Sequence, residues 1–300
     1  MLEYNQTVLK YIKYKDKEIP SFVIEDEKSI EKNTISSFGK EWKKFSRFNT
    51  EEISLIGSEY FDIVKDQINK NSIILDVGCG TGRWSKYIAD KVNFVEAIDP
   101  SDAVLPAVEL NYESANIRIT QAGTDNIPFP DESFDFIFCL GVLHHIPDIK
   151  KALQNIIRVL KRNAYMLVYL YYNFDNKNAV YKFIFKLSSI IRKVVSSLPF
   201  WLKSFICDIL SVIIYMPFIL LGRLCKFIFK GNFYKHIPLS YYINKPFKVI
   251  RNDALDRFGT RIEKRYTRKE IISLLNEVGI GNIVFSDHEP YWHLMGQKLK

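Results

Sequence analysis

Short apolar runs alternate with longer amphipathic stretches over residues 72–172. Ser72 to Val77, Val92 to Ile98, Ile117 to Gln121, Phe134 to Cys139 and Tyr165 to Tyr172 are brief and rich in β-branched or aromatic residues. Such runs predict strands, and the nearly uncharged ones predict strands buried on both faces. Tyr165 to Tyr172 has no polar residue apart from tyrosine, which predicts a central strand. Between the runs, Ser85 to Lys91 begins a helix, and Asp148 to Leu160 sets Ala152, Leu153, Ile156, Ile157 and Leu160 on one face. Ahead of them, Glu51 to Lys70 repeats Ile53, Ile56, Tyr60, Val64 and Ile68 at helical spacing. Thr50 is its predicted cap, with Glu51 and Glu52 at the positive end of the helix dipole. Alternating strand and helix predict a parallel sheet covered by helices on both faces.

The first strand ends in an acid followed by glycines at alternate positions: Asp76-Val77-Gly78-Cys79-Gly80-Thr81-Gly82-Arg83. Glycine in a strand-to-helix turn permits a positive φ and close approach of a ligand to the backbone. A dinucleotide fingerprint would need glycine where Arg83 stands, which argues against a nucleotide-dependent oxidoreductase. A P-loop is excluded because no Gly-Lys-Ser/Thr follows. The second run ends in Asp99, 17 residues past Gly82. An acid at that strand tip can accept hydrogen bonds from both ribose hydroxyls of a nucleoside. Asp99-Pro100-Ser101-Asp102 also reads as a helix start, with Ser101 or Asp102 as the cap.

The D-x-G-x-G-x-G spacing resembles motif I of the class I S-adenosylmethionine-dependent methyltransferases. Leu-Pro-Phe-Pro-Asp-Glu-Ser-Phe-Asp and Val-Leu-His-His are a family pattern matched here by Ile127 to Asp135 and Val142 to His145. They resemble the small-molecule branch of that family. The resemblance implies S-adenosylmethionine as cofactor and a Rossmann-like seven-stranded α/β sheet, ordered 3-2-1-4-5-7-6 with strand 7 antiparallel. It implies cofactor contacts from Asp76, Gly78, Cys79, Gly80, Thr81, Gly82 and Arg83. Asp99 and Pro100 would follow at the second strand. Gly123, Thr124 and Asp125 would follow at the third, and Leu140, Gly141 and Val142 at the fourth. Gly123 stands where the family often has an acid for the adenine, so backbone groups at 123–124 or the Asp125 side chain would substitute. Ser37-Phe38-Gly39-Lys40-Glu41-Trp42 resembles a segment that folds over the cofactor in a subgroup. Lys17 to Val23 resembles the tail of a zinc-ribbon-like module, and without its cysteines no zinc is expected. Packing on the surface is the alternative for Trp42.

His144 and His145 lie at the carboxyl end of the fourth strand, where open α/β sheets bind ligands. Histidine titrates nearest neutrality, so either could take a proton from a hydroxyl acceptor. Capping and packing are the alternative roles. Tyr171, Tyr172 and Asn173 are further pocket candidates.

From Asn173 to about Tyr266 the chain turns basic, aromatic and very apolar. Phe205 to Leu221 carries one charge, Asp208, and one proline, Pro217, and is barely long enough for a membrane span. Thr267 to Val278 is amphipathic, and Asn282 to Phe285 and Tyr291 to Gln297 read as strands. A single crossing would put two halves of one sheet on opposite sides of a bilayer, so an inserted helical lid is expected. The expected domains are an N-terminal cap segment over 1–50, a cofactor-binding core over 51–173, the lid over 174–266, and a closing helix and strand hairpin over 267–300.

Charge sharpens this division. The net +8 conceals 18 Lys/Arg against 5 Asp/Glu over residues 181–270, a local +13 that leaves the remainder at −5. Lys203, Arg223, Lys226 and Lys230 flank the apolar helices. Two readings stand: a lid with a solvated basic rim, or one that also meets anionic lipid. Nucleic acid is disfavoured, because no RNA-binding module is recognisable. Asp253, Asp256 and Arg257 either bring an acid to the acceptor or pair within the lid. Four cysteines without a C-x-x-C pair suggest neither zinc nor a disulfide framework, and a reducing cytoplasm is expected, at its membrane face if lipid is met. The predicted function is methyl transfer, as O-methylation, to a small or lipid-linked acceptor. A non-catalytic cofactor-binding or membrane-associated protein is the alternative.

Overall fold

The computed structural model describes residues 1–24, 30–45, 48–173, 179–229 and 233–299. Lys230 lies outside the described residues. The chain divides into two compact units, Met1–Asn173 with Lys264–Lys300, and Phe174–Glu263.

The first unit is built on one sheet. Its strands are β1 (Lys10–Tyr14), β2 (Lys17–Ser21), β3 (Ile73–Val77), β4 (Phe94–Asp99), β5 (Ile117–Gln121), β6 (Phe134–Leu140), β7 (Leu160–Tyr169), β8 (Ile280–Phe285) and β9 (His293–Lys298). They lie in the order β1-β2-β5-β4-β3-β6-β7-β9-β8. From β5 to β8 this is the expected 3-2-1-4-5-7-6 order, with β9 antiparallel to both neighbours. The sheet nonetheless has nine strands rather than seven. A hairpin closed by Lys15 and Asp16 pairs Tyr14 with Lys17, and Ser21 then joins Gln121 of β5. Strands β1 and β2 therefore extend the sheet beyond β5.

Every residue of β4 is buried, and β3 and β6 are almost wholly so. This explains their uninterrupted apolar runs. The helices of this unit are α1 (Ile30–Lys44), α2 (Thr50–Tyr60), α3 (Arg83–Ala89), α4 (Val104–Leu110), α5 (Ile149–Val159) and α10 (Arg268–Glu277). Helix α5 buries Ala152, Leu153 and Ile156 against the sheet, and Asp148 caps it by accepting from the Lys151 amide. Thr267 and Glu270 form a reciprocal capping box on α10.

Two boundaries differ from the pattern. The cap of α2 is Asn49, not Thr50, since the Asn49 side chain accepts from the Glu52 amide at 2.7 Å while Glu52 accepts back at 3.1 Å. The helix also stops at Tyr60, although its apolar spacing runs on to Ile68. Phe61 leaves the helix to pack edge-on against Phe138 at 5.2 Å. Asp62 next to it accepts from Ser286 at 2.6 Å and meets His293 at 2.8 Å. These long-range anchors override helix periodicity.

The second unit contains α6 (Ala179–Val195), α7 (Phe200–Leu210), α8 (Met216–Ile228) and α9 (Phe247–Gly259). A wider π-turn, Ser211–Tyr215, joins α7 to α8 as one helix of 29 residues. Pro217 lies just after it and lacks the N–H that a regular helix would use there. Asp208 pairs with Arg251 at 2.8 Å, and the Tyr215 hydroxyl donates to Asp253 at 2.6 Å. Asp208 and Asp253 are therefore used in holding α9 to the long helix.

Candidate active site

Strand β3 delivers Asp76 and then the glycine turn. Gly78, Gly80 and Gly82 have φ of 73°, 53° and 70°, values that disfavour any side chain. Space is short as well: a Cβ on Gly78 would collide with Val142, and one on Gly80 would meet the Trp42 indole at 3.1 Å. The Gly78 and Cys79 amides both donate to the Ile98 carbonyl, at 2.8 and 3.0 Å. The Gly82 amide donates to Cys79 at 2.8 Å. Two turn amides thus fasten β3 to β4 and a third closes the turn on itself, rather than being held out to a ligand.

The Gly80 amide donates to Asp99 Oδ2 at 3.0 Å. Asp99 Oδ1 accepts from the Ser101 amide at 2.9 Å and from its hydroxyl at 2.6 Å. Asp99 therefore faces the glycine turn, and Oδ2 keeps a lone pair for a ribose hydroxyl. Burial raises its pKa, opposed by the bonds from Ser101 and Gly80. Ser101 also caps the turn ahead of α4, its hydroxyl accepting from the Ala103 amide. Asp76 lies deeper, accepting from the Ser85 hydroxyl at 2.6 Å. Burial, with the charge of Asp99, pushes Asp76 up to about 7. The Thr81 hydroxyl is buried with no partner in the protein.

Helix α1 crosses the carboxyl ends of three strands. Phe38 lies 4.7 Å from the His145 ring, a Cβ on Gly39 would touch the Asp102 amide at 3.2 Å, and Trp42 covers Gly80. Lys43 pairs with Asp102 at 2.9 Å and fastens the helix there. The Arg83 guanidinium is held among Trp42, Phe48 and Trp84, 4.9, 4.9 and 4.4 Å from their ring centres. At the end of β5, the Asp125 carboxylate sits where a side chain on Gly123 would be. Pro100 lies beside the same position at 3.6 Å, and Thr124 accepts from Asn155 through its carbonyl.

Beyond β6, Gly141 takes a φ of 81° and donates to the Tyr169 carbonyl. Leu140 is buried and Val142 half-buried. His144 is wholly buried and stacks on Tyr171, their ring centres 3.8 Å apart, with the His145 ring at 4.1 Å. Neither ring nitrogen of His144 has a partner in the protein. Burial, then the charges of His145 and Arg265, holds its pKa well below the usual value. It is therefore held neutral at pH 7.

The three residues expected at the end of β7 separate. Tyr171 joins the histidines. Tyr172 points the other way, as alternation along an extended chain requires, and packs on Tyr291 and Trp292. Asn173 is exposed and bonded through its amide to the Tyr266 carbonyl. Sequence reasoning missed Arg265, which lies over the Tyr171 ring at 5.1 Å, and Tyr169 beside it at 5.7 Å. The signal for Tyr169 was available, since it alternates with Tyr171 on one side of the chain. Arg265 had none, being remote in sequence.

The acid–glycine turn, the buried Asp99 and the sheet order define a class I methyltransferase core. Residues 75–168 match the methyltransferase domain family. An uncharacterized methyltransferase, YcgJ of Bacillus subtilis, is 32% identical over 33% of this chain and 40% of its own length. A tRNA U34 carboxymethyltransferase of Nautilia profundicola is 34% identical over 36% of this chain and 33% of its own. The ubiquinone/menaquinone biosynthesis C-methyltransferase UbiE of Rickettsia massiliae is 34% identical over 33% and 44%. The chain thus spans less than half the length of each of these relatives. Residues 75–168 are thus similar to the methyltransferase domain family, and the sheet order agrees with the class I fold that the sequence motifs predict.

Proposed function

We propose that the protein transfers a methyl group from S-adenosylmethionine to a hydroxyl of a small or lipid-linked acceptor. The cofactor supplies a methyl on a sulfonium, which departs as a neutral thioether. The protein's own residues align the partners and exclude water. Asp99 clasps the ribose through Oδ2, and Thr81 gives its unpartnered hydroxyl to the polar end of the cofactor. Asp125 takes the place of the missing acid at Gly123. Arg83 remains an alternative partner of the cofactor carboxylate.

The observation that carries this reading is His144: buried, neutral and unpartnered, just past the end of β6, the strand beside the one that delivers the glycine turn. A neutral imidazole there receives the acceptor's proton. Tyr171, stacked on it, fixes the ring plane, and His145 is the second candidate base. The lid role expected of the insertion is part of the same proposal, and so is the reducing cytoplasm, which suits the buried thiols of Cys79 and Cys139. A non-catalytic binding protein would need no such poised base.

The test is S-adenosylhomocysteine release with a panel of hydroxyl-bearing acceptors, comparing wild type with His144→Asn. Turnover falls by about 100-fold or more, while S-adenosylhomocysteine affinity stays within about twofold because the ring does not hold the nucleoside. Equal turnover in the variant would remove His144 as base. Cofactor binding without turnover on any acceptor would favour the non-catalytic reading.

A further inference from the structure

The long helix of the second unit is amphipathic in the wrong sense for water. Its inward side carries Lys203, Ser204, Cys207, Ser211 and Tyr215, all buried. Lys203 donates to the Gly259 carbonyl at 3.0 Å, and the Ser211 hydroxyl to the Asp208 carbonyl at 2.7 Å. Its outward side carries Trp201, Phe205, Val212, Ile213, Leu220 and Phe227, with Trp201 71% and Phe227 88% exposed. Polar groups are turned in and satisfied while large apolar groups are turned out, over about 43 Å at 1.5 Å per residue. A contiguous apolar face of that length on one helix marks an interaction surface.

We propose that this face lies in the plane of an anionic lipid surface, with the helix embedded to the depth of its outward side chains. Three observations select lipid over other occupants. Residues 174–263 carry 15 Lys/Arg against 5 Asp/Glu, so the unit complements negative headgroups. Lys193 and Lys226 are exposed, the latter next to Phe227 in sequence, while Asp208 is drawn to Arg251 and Asp253 to Tyr215. Trp201 sits near one end of the stripe, and tryptophan favours the headgroup level of a bilayer. The helix is long and apolar enough to cross a membrane, and among the described residues it is the one such helix. One crossing is excluded by topology: β7 precedes it, β9 follows it, and the two pair from Tyr165–Gln297 to Tyr169–His293. The helix therefore lies on the membrane rather than through it.

The full chain is tested by co-sedimentation with vesicles of phosphatidylcholine, with and without phosphatidylglycerol, at low and high salt. Binding to the anionic vesicles exceeds binding to phosphatidylcholine alone by at least about tenfold, and salt removes the difference. Tryptophan emission shifts to the blue on binding, and Trp201→Phe abolishes the shift. Combined Trp201→Ser, Phe205→Ser and Phe227→Ser lowers binding by at least about tenfold, with S-adenosylhomocysteine affinity unchanged. Lys193→Glu with Lys226→Glu, which leaves the apolar face whole, weakens only the anionic preference. The proposal is overturned by wild-type protein that stays in the supernatant with every vesicle, or by a folded triple variant that binds as well as wild type. Resistance to alkaline carbonate extraction would overturn it in favour of insertion deeper than the headgroup level. A dimer in solution that the triple substitution dissolves, with no vesicle binding, would assign the face to a second copy.

Discussion

The two units solve opposite problems with the same residue types. The first buries acids: Asp76, Glu96 and Asp99 all lie within a sheet core. Each is held by specific partners, Glu96 by Arg118 at 2.7 Å and the others by Ser85, Ser101 and the glycine turn. The second leaves large apolar side chains in the open and hides lysine and serine instead. Buried charge needs compensation and is kept where it does chemistry. Exposed apolar surface needs an occupant and is kept where the protein meets one. The contrast separates a unit that holds charge in its core from one that turns apolar surface outward.

The comparison breaks first at Glu96. Arg118→Ala leaves that carboxylate buried and unpaired, and should destabilise the folded protein by about 3–5 kcal/mol, read from urea denaturation. A change within error would mean that burial in this unit costs nothing and the contrast is empty.

The pH dependence of stability is the next largest effect. Asp76 is ordinarily near 3.8 and is pushed up to about 7 in the fold. The folded state therefore holds a proton that the unfolded chain releases between those values. This contribution is complete below pH 4 and is lost as pH rises to 7. The loss reaches about 4 kcal/mol at 1.36 per unit. Asp76→Asn should flatten the profile between pH 4 and 7 in the cofactor-free protein. An unchanged slope would assign the dependence elsewhere.

The smallest effect sharpens the other side. Phe205→Ser, on the outward face, should change stability in solution by no more than about 0.5 kcal/mol, measured by the same denaturation. A loss several times larger would mean that Phe205 is packed in water, and the surface would need no partner.

Much of the first unit is legible in the chain because burial on both faces leaves few polar residues in β3, β4 and β6. Asp76, the glycine trio and Asp99 could be placed before any coordinates, since an acid or glycine at a strand tip interrupts an apolar run. The β1–β2 hairpin was not legible as a pair. Its strands are short, β1 is largely exposed, and Lys15 enters the left-handed region at the turn without the usual glycine or asparagine. The end of α2 was hidden because Phe61 and Asp62 are claimed by residues far along the chain. In the second unit the apolar content was plain, but which side faced outward was not. Only the buried lysine and serines reveal that the pattern is inverted.

Calorimetric titration with S-adenosylhomocysteine, comparing wild type with Asp99→Ala, tests the central claim most directly. Wild type should bind, and the variant should bind more weakly by about 1–3 kcal/mol, the cost of removing a buried acceptor from its partners. Absent binding in wild type, or equal binding in both, would contradict the assignment of Asp99 and its glycine turn to the nucleoside.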